Sequence, residues 1–313
     1  AGGGGGREGP GSGAELLQLS TVLTSLWLPE RVANGQAVCS SFSSVPCRLV
    51  PAPRLAPKHV EQLERAGYVV PHEDRVAMGP LGWWAQRLEI RKHRLLQRGY
   101  HDPIVRLSSI GNLVGLWSIL AAWLAAGGGS ELLLLPSNSG GSSNSSVPWL
   151  PPSEALQASE RVEAAAFGPR GGRGMTTRQR QPPRAILLME DDAQLSPGFE
   201  AGVLRALAEL PPGWDLLTFD PAPGFCSGSI LQHPRWAVGS AQQQLYRTMV
   251  TFTRTTAIAV SWKGAKAILA GLPTSLVVDL YVAKLLRLGR LTVYASCASL
   301  LHQTDSIIAP VTV

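Results

Sequence analysis

The sequence predicts an α/β fold built on a mostly parallel sheet, and three observations carry that prediction. Ala185-Ile186-Leu187-Leu188-Met189 is a continuous apolar run without polar alternation, the pattern of a strand covered on both faces. Strand, acidic turn, helix and second strand then follow in order between Ala185 and Phe219, which is a βαβ unit. Upstream, Leu113 to Ala126 is apolar nearly all round, as a helix packed on several sides is. A chain of 313 residues that is 45% hydrophobic can bury the core such a fold needs.

Along the chain, residues 1–13 form a low-complexity Gly-rich tail, and residues 14–313 are expected to form a single domain. Ala14 to Pro53 contains short apolar runs broken by Ser, Pro and Gly, with room for two strands. Pro57 to Gly67 predicts a helix, with Val60, Leu63 and Ala66 at spacing three and Gly67 where a C-terminal cap belongs. Trp83 to Arg98 is a second helix candidate. The stretch 127–183 holds a Ser/Asn/Gly tract at 137–146 and a Gly/Arg tract at 168–180, and reads as a disordered, flexible insertion. After the strand at Ala185, Ser196 and Pro197 predict an N-cap and first turn for a helix carrying Phe199, Val203, Leu204 and Leu207. Trp214 to Phe219 follows as a strand stopped by Asp220-Pro221. Thr255 to Ser261 predicts a strand, Trp262 to Leu272 and Asp279 to Leu288 helices, and Leu291 to Ala295 a late strand.

Composition narrows the function. The net charge of +6 owes much to arginines in loop-like segments, Arg170, Arg173, Arg178, Arg180 and Arg184, without the interleaved aromatics of a single-strand surface, so no nucleic-acid partner is expected. Cys39, Cys47, Cys226 and Cys297 form no close C-x-x-C pair and no zinc set. Cys39 and Cys47 could bridge in an oxidising compartment, or all four could be buried thiols. The apolar run at 113–126 is shorter than the roughly twenty residues that cross a bilayer, and no membrane anchor is visible. The chain starts at Ala1 without a signal-peptide pattern, and the true N-terminus is expected upstream.

The chemistry is expected at Glu190-Asp191-Asp192. Three successive carboxylates at the end of a buried strand repel one another and call for a cation or basic groups to neutralise them. On an extended backbone Glu190 and Asp192 share one face and Asp191 takes the other, so the first two can share a divalent cation through hard oxygen ligands. The alternative is an acidic turn that merely favours the following helix dipole. A Walker B strand has a similar pattern, but G-x-x-x-x-G-K-[ST] is absent, and the missing D-x-D-x-[TV] argues against a common phosphoester hydrolase design. Arg247, Arg254 and Lys263 are candidate phosphate partners or surface charges, and Trp214 and Trp262 candidate stacking residues or core.

Read together, Leu187-Leu188-Met189-Glu190-Asp191-Asp192-Ala193 with Ser196-Pro197-Gly198-Phe199 resembles the hydrophobic-Glu-Asp-Asp-Ala segment of glycosyltransferase family 25, the lipooligosaccharide and collagen galactosyltransferases. Leu210-Pro211-Pro212-Gly213-Trp214-Asp215 is similar to its Pro-x-x-Trp-Asp strand. Thr256 to Leu269, with Ser261, Gly264 and Ala265, resembles its strand ending in Ser before a Gly-Ala helix start. Val277-Val278-Asp279 and His302-Gln303-Thr304-Asp305-Ser306 resemble its later motifs. The likeness covers roughly residues 104–126 and 184–308. It departs where Asn112, Gly115 and Leu116 stand in place of the family's Cys, Ser and His.

The resemblance implies a GT-A type, Rossmann-like sheet flanked by helices, and inverting transfer of a sugar, often galactose, from a UDP-sugar. The implied acceptor is a hydroxyl on a glycan or glycoprotein. It implies a divalent cation, manganese by expectation, on Glu190 and Asp192, and a donor contacted by Asp191, His302, Gln303 and Ser306. Asp279 is the implied base, since inversion in one displacement requires proton removal from the acceptor hydroxyl. A member that binds a sugar nucleotide or a protein partner without catalysis is the alternative. The collagen-type relatives imply a secretory location, ER or Golgi, for a eukaryotic chain.

Overall fold

A computed structural model describes residues 17–24, 28–53, 55, 57–69, 103–128, 152–167, 184–221, 225–226, 235–238, 244–248, 254–274, 278–298 and 300–303. The Gly-rich residues 1–13, the candidate helix Trp83 to Arg98, the tracts at 137–146 and 168–180 and Ser306 lie outside the described residues. The strands are β1 (Leu17–Thr24), β2 (Cys47–Pro51), β3 (Ala185–Glu190), β4 (Ala193–Leu195), β5 (Leu216–Thr218), β6 (Arg235–Val238), β7 (Leu245–Thr248), β8 (Ala257–Ser261), β9 (Val293–Ser296) and β10 (Leu301–Gln303). The helices are α1 (Pro29–Ser40), α2 (Pro57–Arg65), α3 (Pro103–Ala125), α4 (Pro152–Phe167), α5 (Phe199–Glu209), α6 (Trp262–Ala270) and α7 (Val278–Arg287).

Eight strands form one sheet in the order β2-β1-β3-β8-β5-β9-β7-β6, and β10 pairs with β4 in a separate two-stranded ladder. The fold is therefore α/β, and its arrangement is compatible with a Rossmann-like architecture. The sheet is mixed. β1 runs parallel to β2 and β3, and β5 parallel to β9, while β8 is antiparallel to both β3 and β5 and β7 to both β9 and β6. The unit expected from Ala185 to Phe219 is thus a split one: β3 and β5 point the same way but β8 lies between them. Periodicity reports that β8 is buried on both faces and is silent about its direction.

Both faces are covered. Ile186 and Leu188 of β3, with Leu216, Ile258, Val260 and Val293, pack beneath α2, α3, α4, α6 and α7. Ala185, Leu187 and Met189, alternating with them, pack with Val22, Leu217, Ala257 and Ala259 against α1 and α5. The all-round apolar helix α3 has Trp117, Leu120, Trp123 and Leu124 buried in the first of these layers. Among the described residues no helix is long and apolar enough to cross a membrane.

Local chemistry explains several boundaries. After α2 the chain closes in a Schellman turn: Gly67, with φ 72°, donates its N–H to Glu64 O, and the Tyr68 N–H reaches Leu63 O. Helix α5 begins differently from expectation, because Ser196 and Pro197 lie in the turn before it. The N-cap is Gly198 in the left-handed region, φ 76°, with no side-chain cap, and the Ser196 N–H donates to Leu300 O while its carbonyl accepts from Phe199. Ser261 does cap α6: its hydroxyl accepts from the Gly264 N–H at 3.0 Å and donates to Trp214 O at 3.0 Å.

Two elements stand where the sequence suggested loops. Helix α1 lies between the two N-terminal strands, and α4 lies inside the supposed flexible insertion, burying Ala155 and Ser159 against α3 and α6. The expectation of an insertion without structure across 127–183 is therefore corrected. All four cysteines are oxidised, in Cys39–Cys47 and Cys226–Cys297, so buried thiols are excluded as well. The second bridge, 71 residues apart in sequence, ties the segment after β5 to the end of β9.

Candidate functional site

Strands β1, β3, β5 and β9 all point to one rim of the sheet, and in open α/β sheets the carboxyl ends of strands are where ligands collect. Glu190 is the last residue of β3, and Asp220 follows β5 by two residues. Because β8 is antiparallel, its entry segment Arg254-Thr255-Thr256 reaches the same rim between them. Thr255 Oγ1 donates to Glu190 Oε1 at 2.5 Å, and Thr256 Oγ1 donates to Asp220 Oδ2 at 2.9 Å. Arg254 Nη1 lies 3.3 Å from each Asp220 oxygen.

Strand β3 ends at Glu190, and Asp191 and Asp192 form the turn after it, both within reach of Arg31, so the alternation expected of an extended backbone extends no further than Asp191. Glu190 continues the Ile186–Leu188 face beneath α3 and α7, whereas Asp191 falls on the α1 face. There Arg31 of α1 takes it: Nη1 sits 2.5 Å from Asp191 Oδ1 and 3.8 Å from Asp192 Oδ2. Asn34, one turn on, donates from Nδ2 to Asp191 O at 2.5 Å and reaches Ala193 O at 3.5 Å. Asp191 is thus 5% exposed and paired with a cation of the protein's own.

Glu190 is the perturbed group. Burial, then the charge of Asp192, then those of Asp279 and Asp191, push its carboxyl up from 4.5 to about 7 against the lowering effect of the Thr255 hydrogen bond. Asp279, in the first turn of α7, is therefore close enough to act on Glu190 through space. A pocket beside the carboxyl is lined by Leu23, Asn112, Leu116, Leu188, Thr255 and Val278, among others. Asn112 and Leu116, two of the three positions at which the chain departs from the family pattern, thus stand on the α3 face that borders Glu190. The third, Gly115, is where α3 touches β1: a Cβ there would lie 2.8 Å from Leu23 Cδ2.

The structure brings Glu190, Asp191, Asp192 and Asp279 together. Main-chain pairing of β10 with β4 sets His302 opposite Gln194 and Gln303 opposite Ala193, beside the acidic turn; nothing is described of their side chains. Other candidates have structural work. Lys263 pairs with Asp215 at 3.0 Å, Trp214 is buried in the core, and Trp262 packs edge-on against Trp123 with ring centroids 5.5 Å apart. Arg254 is held by Asp220, and Arg247 lies on β7, which borders β9. Sequence reasoning missed Arg31, Asn34, Thr255 and Asp220; only Asp220-Pro221, as a strand stop, had drawn notice.

Among the described residues no group of three or more His, Cys, Asp and Glu side chains is arranged to hold a metal ion. Glu190 and Asp192 are the residues that could hold a magnesium- or manganese-like ion, whose remaining positions substrate phosphates and water would fill. Burial first and the neighbouring carboxylate charges second raise Glu190, and a divalent cation would offset both. No protein-family model, curated protein or solved structure matches the chain.

Proposed function

We propose that the protein is a GT-A type glycosyltransferase of the family 25 kind, moving a sugar, galactose by preference, from a UDP-sugar to a hydroxyl of a glycan or glycoprotein. The observation that carries the reading is the convergence of Glu190, Asp192 and Asp279 at the carboxyl rim of the sheet, close enough to raise Glu190. Glu190 and Asp192 would hold the divalent cation, manganese in this reading, which neutralises the leaving diphosphate when bound. Asp279, at the start of α7, takes the proton of the acceptor hydroxyl. His302 and Gln303 on β10, with Ser306 beyond it, serve the donor, and Asp191 supports the turn. Two disulfides among four cysteines support an oxidising compartment such as the secretory lumen.

Calorimetric titration of UDP and UDP-galactose, with and without manganese, tests the reading against Asp192→Ala. Metal-dependent binding that the substitution abolishes in a folded protein is the expected result. No binding by the folded wild type in either condition sinks it. A second reading, a non-catalytic member that binds the donor or a protein partner, draws on Asn112 and Leu116 beside Glu190. It expects donor binding, or none, without transfer to any acceptor.

A further inference from the structure

We infer that helix α1, through Arg31 and Asn34, is the positioning element of the acidic turn, so that a segment without chemistry of its own sets the geometry of the site. The inference rests on the donor-site reading of that turn. Arg31 and Asn34 are three residues apart and so share one helix face. One face thus grips the turn twice. The guanidinium takes Asp191 at 2.5 Å with Asp192 at 3.8 Å, and the carboxamide takes the Asp191 carbonyl at 2.5 Å with the Ala193 carbonyl at 3.5 Å. Charge and main chain are held together, on both sides of Asp192.

The grip has force only if α1 is itself fixed, and it is. Gly35 lets the helix lie against the sheet, since a Cβ there would be 2.9 Å from Leu49 Cδ2. Cys39, one turn further on, is bonded to Cys47 at the start of β2. The turn between them is pinned by Glu200 of α5, whose carboxylate accepts the N–H and hydroxyl of Ser43 and Ser44 and the N–H of Val45. Side chains that orient a reactive group work when their own supports are rigid. The unequal distances divide the roles: the close, buried pair makes Asp191 structural, and the long contact leaves Asp192 to exchange Arg31 for a ligand cation.

Arg31→Lys and Asn34→Ala test this, because both preserve the local charge while removing geometry: an ammonium is a point charge without the planar fork. Ser40→Ala, on the exposed end of the same helix, is the control. Two readouts are taken on the full chain. One is Mn²⁺ binding, with and without UDP, from the free-ion electron paramagnetic resonance signal. The other is hydrogen exchange of the peptide spanning Glu190 to Ser196, with β8 as internal reference.

The expected result is a folded protein whose turn exchanges about tenfold faster, whose β8 is unchanged and which binds Mn²⁺ about tenfold more weakly; Ser40→Ala moves neither. Wild-type Mn²⁺ affinity in both variants overturns the inference, even if exchange rises, since the grip would then be structural only. If the wild type itself binds no Mn²⁺, the donor-site reading fails separately. Exchange then decides the rest: a faster turn keeps α1 as its support, and an unchanged one overturns that too. Should Arg31→Lys fail to fold, Asn34→Ala carries the same test.

Discussion

Replacing Glu190 with Gln makes the stability of the protein less dependent on pH. The glutamine keeps an oxygen to accept from Thr255 but removes the carboxyl that burial and the charges of Asp192, Asp279 and Asp191 raise from 4.5 to about 7. The folded state holds that proton up to pH about 7, whereas the unfolded chain releases it near 4.5. Between those values the folded state binds more protons, so its stability falls as pH rises and levels off above 7. At about 1.4 kcal/mol per pH unit, the loss attributable to this group is about 3 kcal/mol. Urea denaturation of wild type and Glu190→Gln at pH 5, 6, 7 and 8, in a chelating buffer, measures it. The variant gains on the wild type by up to about 3 kcal/mol across the series, and the gap stops growing above pH 7. Parallel stability curves between pH 5 and 8 would refute the claim that burial and neighbouring carboxylates raise this carboxyl.

Two further outcomes concern the frame around the site. Burial would raise the Glu200 carboxyl, but the backbone and hydroxyl bonds from Ser43 and Ser44 outweigh it and hold the group at about 2; Glu200→Ala is expected to cost about 2 kcal/mol by urea denaturation, less than the sum of its bonds because the site faces water. That stability is present above pH 4.5 and is lost as pH falls through 2, so the gap between variant and wild type narrows in acid. Gly264→Ala sets a Cβ 2.1 Å from Asp215 O, a backbone atom, and forces α6 away from β5; thermal unfolding should register a loss of about 2–4 kcal/mol, and a wild-type midpoint would contradict the packing.

What could be read from the chain, and what could not, follows from the kind of signal each element emits. β3, α3, β8 and α6 announce themselves because their residues are buried on several sides and the sequence is accordingly apolar. Helix α1 buries only Gly35 and Val38, so it has no apolar stripe to detect, although Pro29 followed by Glu30 is a helix-start signal. Helix α4 is hidden by the polar tracts on either side of it. At the site, Glu190, Asp191 and Asp192 were legible because consecutive carboxylates after an apolar strand demand an explanation. Their partners were not: Arg31 is 160 residues away, Asn34 more than 150 and Thr255 65, and they meet only through the placement of α1 and the direction of β8. A single sequence carries no local trace of such pairings.

The position of β8 also has a consequence for the order of events during synthesis. β3 and β5 emerge from the ribosome before the strand that separates them, so β3 waits with one edge open until Ser261 has been made, and β5 with both, the second until β9 follows. An apolar strand with open backbone donors and acceptors is a template for pairing with another chain. A nascent chain ending before β8 therefore exposes open apolar edges at the centre of the future sheet, and its fate depends on chaperone cover until β8 and β9 have been made.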